Sequence, residues 1–195
     1  MARTQEELDE SFRQSYWSNA IRYGLQYFVA GRYAVAAGLT PVSANLLHHA
    51  VEMLLKGCLS YNDSADEIRH YGRRESYGHG LMTLWAEFKR RNVDLELAAY
   101  NVIVAELHKF EHIRYPERLV SEGGTISIGW AEVDQPLGDR TGAPNVYVLM
   151  LPQIDRLVAL LFRRSNMNPD AIHIEFGRDH CTTYHLFNNQ TPLWL

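Results

Sequence analysis

Histidines set one helical turn from a carboxylate are the first residues in this chain whose types could do chemistry. His49 precedes Glu52 and His108 precedes Glu111, each by three positions. Such pairs can ligate a metal or move a proton. A carboxylate-bridged dimetal centre needs these ligands to point inward from several helices, in the order Glu-x-x-His. Here the order is reversed, and on a helical wheel all four residues fall away from the apolar face of their segment. They read as polar positions facing solvent, so no metal and no other cofactor is expected. Glu106 differs, because it falls inside an apolar stripe between Ile103 and Phe110. A carboxylate placed there must find a partner or take up a proton. Arg22, Arg32, Lys56 and Arg114 are the cations that could serve it. The group marks either a structural ion pair or a polar pocket between helices, holding a nucleotide or another phosphate-bearing ligand.

Other chemistries lack their residues. Gly123-Gly124 is not followed by the Lys-Ser/Thr of a phosphate-cradling loop. Cys58 lies on an apolar helical face and reads as a buried thiol, and with Cys181 it makes neither a disulfide framework nor a zinc site. The aromatic run Tyr16, Trp17, Tyr23, Tyr27, Phe28, Tyr33 could stack bases, or could fill a bundle core or dimer face. A formal charge of −4 gives no global field for nucleic acid. The basic residues are nonetheless 16 Arg against 3 Lys, the type suited to bidentate phosphate contacts and to buried ion pairs alike.

These residues need helices to hold them. Thr4 with Glu7 forms a capping box that opens a long first helix, in which Tyr16, Ala20, Tyr23, Tyr27, Ala30 and Ala34 recur at helical spacing as far as Gly38. Thr40 as N-cap and Pro41 start a second helix over 41–60, with Leu47, Ala50, Val51, Leu54, Leu55 and Cys58 on one face. Residues 61–78 read as loop. A third helix runs over 79–91, with Leu81, Leu84, Trp85 and Phe88 as its stripe. Asp94 caps a fourth over 95–113, in which Ala99, Ile103, Phe110 and Ile113 share a face, and Pro116 ends it. Thr125 to Trp130 reads as a short strand, Val146 to Phe162 as a fifth helix kinked or begun at Pro152, and 172–187 as a small hairpin. The expected fold is all-α: an up-and-down bundle of four to five helices in a single domain over 1–195. The bundle core covers about 5–165, with a short β excursion after residue 116 and an appendage over about 166–195. No apolar run reaches the length of a membrane span, and the first residues lack the apolar core of a signal peptide. A cytoplasmic location without membrane contact is expected.

Three segments resemble the HEPN family of helical bundles. Asn45 to Leu59, with Glu52 and Lys56 four apart inside an Ala/Leu stripe, is similar to that family's second helix. Gly78-His79-Gly80-Leu81-Met82-Thr83-Leu84 is similar to the start of its third. Glu111-His112-Ile113-Arg114-Tyr115-Pro116-Glu117 resembles the Arg-Tyr-Pro ending of its fourth. The match lies within 16–118 and does not reach the C-terminal third. It implies a homodimeric module that binds a nucleotide or RNA. Such domains often partner a nucleotidyltransferase or work in toxin–antitoxin or defence systems. Lys56, His79, Glu106, Arg114 and Tyr115 are the candidate ligand-binding residues. Each also has a plain structural use: Glu52 and Lys56 as a favourable i,i+4 pair, His79 at a helix entry, Arg114 at the negative end of a helix dipole, and Tyr115 covering the helix end.

Many HEPN proteins are metal-independent ribonucleases that use an Arg, four to six residues, then a His. The His serves as acid or base and the Arg stabilises charge on the phosphorus. Arg73 or Arg74 with His79, and Arg178 with His185, fit that spacing. About two such pairs are expected by chance in a chain with this many arginines and histidines. Neither pair sits near the end of the bundle where the family carries it. The chain is therefore read as a binding module without the nuclease pair. The alternatives are a homodimeric metal-independent endoribonuclease using Arg178 and His185 (or Arg74 and His79), and a purely structural or dimerisation protein.

Overall fold

A computed structural model describes residues 3–71, 80–112, 117, 125–129 and 146–168. Helix α1 spans Gln5–Ala36. Thr4 caps it as the sequence implies: its hydroxyl accepts from the Glu7 amide at 3.3 Å, and Glu7 Oε2 accepts from the Thr4 amide at 2.8 Å. Gly38, at φ 73°, reverses the chain in a conformation that a side chain would strain. Helix α2, Thr40–Ser60, begins immediately. Thr40 is its first residue rather than its cap, with its carbonyl accepting from Ser43 Oγ at 2.8 Å. So short a connection lays α2 antiparallel along α1.

The two backbones approach closely. A Cβ on Gly24 would meet Leu54 Cγ at 2.7 Å and the Ala50 carbonyl at 3.1 Å, and one on Gly57 would strike Ile21. The face that α1 buries is therefore Ile21, Gly24, Leu25, Phe28, Gly31, Arg32 and Val35. Of the expected stripe, Ala20 and Ala34 are buried and Tyr16 packs against the core, while Tyr23, Tyr27 and Ala30 are exposed. Glycines mark the contact but carry no hydrophobicity, so the periodic signal settled on the neighbouring tyrosines.

Helix α2 is the hub. It packs on α1 and on three helices that follow: α4 (Leu81–Arg91), α5 (Asn101–His112) and α6 (Leu151–Arg164). Helix α3, Ala65–His70, occupies part of the stretch read as loop, opened by a Ser64–Glu67 capping box too short to show periodicity. Helix α4 begins at Leu81, with Leu81, Leu84, Trp85 and Phe88 buried as expected. The helix predicted from Leu95 starts later, as a 3₁₀ turn at Ala98–Tyr100 leading into α5. Asp94 is not its cap but pairs with Arg164 at 3.1 Å. Ala99 is exposed, and Leu97, Ile103, Val104, Leu107 and Phe110 make the buried stripe.

The predicted strand is β1, Thr125–Gly129. The segment read as one helix from Val146 is divided: Val146–Met150 is strand β2, and α6 starts at Leu151 with Pro152 in its first turn. The strands are parallel, Thr125 opposite Val146 through Gly129 opposite Met150. The described elements form an all-α bundle with a small two-stranded sheet, and share one hydrophobic core containing Phe28, Leu54, Trp85, Leu107 and Phe162. No helix among the described residues is long and apolar enough to cross a membrane. The expected hairpin over 172–187 lies outside the described residues.

Replacing Gly24 with valine is expected to wedge α1 from α2 and to destabilise the chain by about 1–3 kcal/mol in urea unfolding. An unchanged midpoint would contradict this packing.

Candidate functional site

Helix α2, buried over most of its second half, carries several of its polar residues inside. His48, Glu52 and Lys56 stand one turn apart on α2, and all three are buried, at 2%, 3% and 7% exposure. Glu52, expected to face solvent, is thus corrected, while His49 keeps part of its side chain at the surface. The helical wheel gives their angle from the Leu47–Leu54 stripe, but α5 meets that side too, through the Leu107 carbonyl on His48. Only His49, with 31% of its side chain exposed, reaches the rim.

The hydrogen bonds set the chemistry. Lys56 Nζ donates to Glu52 Oε1 at 2.6 Å. Glu52 Oε2 lies 3.3 Å from His49 Nδ1 and 3.7 Å from His48 Nε2. His48 Nδ1 is 2.9 Å from the Leu107 carbonyl of α5. A carbonyl only accepts, so the proton is on Nδ1 and Nε2 is the atom turned to Glu52. Burial alone would raise the Glu52 carboxyl. The His49 hydrogen bond, the Lys56 ammonium and the nearby His48 outweigh it and hold its pKa well below the usual carboxylate range. Burial, with the Glu52 charge adding to it, pushes the Tyr16 hydroxyl up to about 12.

A second buried pair joins α1 to α6. Arg32 Nη1 of α1 lies 3.5 Å from Asp155 Oδ2 of α6, and both side chains are enclosed. Asp155 Oδ1 is buried without a hydrogen-bond partner. Burial pushes this carboxyl up to about 6, against the pull of Arg32 and Arg156. The signal was present: Asp155 falls among Leu151, Ile154, Val158 and Phe162, the same stripe logic applied to Glu106. Glu106 itself is corrected. Its side chain is 20% exposed and pairs with Lys109 of the same helix at 2.5 Å, while Oε2 lies 3.5 Å from the Val148 amide of β2. It joins α5 to the sheet, and none of the four expected cations is its partner among the ion pairs described here.

Lys56 is enclosed with one of its three ammonium donors on Glu52, so a ligand phosphate would have to reach it inside the bundle. Cys58 is a buried thiol as expected, donating to the Leu161 carbonyl at 3.1 Å. His79, Arg73, Arg74, Arg114, Tyr115, Arg178 and His185 lie outside the described residues. At the rim, Tyr27 of α1 meets the His49 ring at 5.6 Å between centroids, and Tyr23 is exposed one turn away. No family model matches this chain, and no curated protein or solved structure matches it either.

Two outcomes follow. Lys56→Met strands the Glu52 charge and is expected to cost about 3–5 kcal/mol, most of it recovered in the Lys56→Met/Glu52→Gln double variant. Additive losses in urea unfolding would contradict the pairing. The folded Asp155 binds its proton more tightly than the unfolded chain, whose value is near 3.8. Stability from this group is therefore greatest below pH 4 and falls by roughly 3 kcal/mol as pH rises through about 6. Asp155→Asn is expected to flatten that slope, and an unchanged slope would contradict its assignment to Asp155.

Proposed function

We propose that this chain is a HEPN-like module that binds a nucleotide or a single-stranded nucleic acid, is not itself catalytic, and acts as a homodimer. The observation that carries this reading is the rim of α1 and α2. Tyr23 and Tyr27 are 50% and 39% exposed, and Tyr27 borders the half-buried His49 above the Glu52–Lys56 pair. Exposed rings on adjacent turns are stacking platforms for bases, and exposed Arg22 lies on the same turn as Tyr23. Of the rim residues, His49 stands on α2, the helix that carries the first HEPN-like segment, and the two tyrosines stand on α1 packed against it. The resemblance supplies the setting: a nucleotidyltransferase partner, or a toxin–antitoxin or defence system.

Thermal shift and fluorescence titration with nucleoside triphosphates and single-stranded RNA test this reading. Binding is expected to weaken as salt rises. One stacked base is worth about 1–3 kcal/mol, so Tyr27→Ala should weaken binding roughly 5- to 150-fold. No shift with any of these ligands at any salt concentration would leave a purely structural or dimerisation protein. RNA incubated with the chain in EDTA is expected to stay intact. Cleavage lost in His185→Ala or His79→Ala would replace this reading with a metal-independent endoribonuclease.

A further inference from the structure

We propose that His48, His49 and Glu52 form a binding site for one divalent transition-metal ion, of the kind that takes two imidazoles and a carboxylate. The inference goes beyond the nucleotide reading and does not depend on it. One ligand atom from each of the three residues lies within 4.8 Å of the others. The two histidine–carboxylate distances are already 3.3 and 3.7 Å. Ligand atoms around a tetrahedral zinc stand ~3.4 Å apart when the bonds are near 2.1 Å. Small rotations of two imidazoles and one carboxylate close the remaining gap.

The surroundings are those that orient metal ligands. A metal-binding histidine commonly donates its other ring N–H to a backbone carbonyl, fixing the tautomer and the ring. His48 does this through Nδ1 to Leu107, which turns Nε2 toward Glu52. Ligating carboxylates are in turn hydrogen-bonded. Glu52 accepts from Lys56 on Oε1, and Oε2 is the oxygen beside both histidines. A metal would take the place of the hydrogen that His49 Nδ1 now shares with that oxygen. All three ligands stand on one helix whose backbone is fixed by packing on four others. His49 is partly exposed, so an ion can enter past it and keep a position for water.

The donor set also selects the ion. Two imidazoles with one carboxylate favour zinc, cobalt or nickel over magnesium or calcium, which require mostly oxygen ligands. The Lys56 ammonium beside Glu52 opposes a hard cation held by charge alone. Imidazole nitrogens, which bond by lone-pair donation, are less affected.

The test uses the full chain stripped of metal with EDTA and then dialysed, with no nucleotide present. Co²⁺ titration is expected to give visible d–d bands that saturate near one ion per chain and disappear as Zn²⁺ is added. His49→Ala removes the rim ligand, leaves the Lys56 bond to Glu52 in place, and should weaken binding more than about tenfold. Glu52→Gln should do the same in protein whose circular dichroism shows it folded. His70→Ala, on exposed α3 away from the cluster, should leave binding unchanged. Absence of the bands together with no Zn²⁺-dependent rise in Tm would overturn the proposal, as would equal affinity in the His49→Ala variant.

Discussion

Enclosing one helix on every side obliges each polar residue it carries to find its partner inside the bundle. Helix α2 lies under that constraint over its second half, where every residue from Ala50 to Ser60 but Met53 is buried, and it packs on α1, α4, α5 and α6. Leu47, Ala50, Val51, Leu54 and Leu55 meet it with apolar surface. His48, Glu52 and Lys56 meet it by turning to one another and to the Leu107 carbonyl. A charge in this position is tolerable only while each member keeps its place. The cluster therefore ties the internal geometry of α2 to the position of α5.

The same constraint explains what stands at the surface. Close packing of α1 on α2 runs through Gly24, Gly31 and Gly57, where side chains would collide. The large residues of α1 are displaced to the flanks, so Tyr23 and Tyr27 stand in solvent beside His49. The exposed aromatic rim and the buried ionic cluster are two consequences of one tight helix pair. The rim can offer surface to a ligand, and the cluster beneath holds His49 in place. Across the bundle, Arg32 and Asp155 join α1 to α6 by a weaker pairing that leaves one carboxylate oxygen unsatisfied.

The helices with strong local signals were legible in the sequence: Thr4 with Glu7 at the start of α1, Pro41 at the start of α2, and the Leu81–Trp85–Phe88 stripe of α4. Residues 146–150 were not, because an apolar strand leading directly into a helix shows one continuous apolar run. The site was less legible than the fold, for a physical reason. A helical wheel locates the most apolar face, and α2 buries the polar side as well. Glu52 and His49 therefore appeared to face water. Glu106 appeared buried because its neighbours in sequence are apolar, although Lys109 holds it near solvent. Asp155 obeyed the wheel and could have been found by it.

The account rests on Glu52 being an ionised carboxylate inside the bundle, held by Lys56 and the two histidines. Observing its carboxyl carbon by ¹³C NMR through an acid titration tests this most directly. The account predicts that Glu52 stays ionised far below the ordinary value of 4.5 and takes up its proton only as the chain unfolds. A reversible titration of Glu52 near 4.5 in the folded protein would show a carboxylate in water, and would contradict the account.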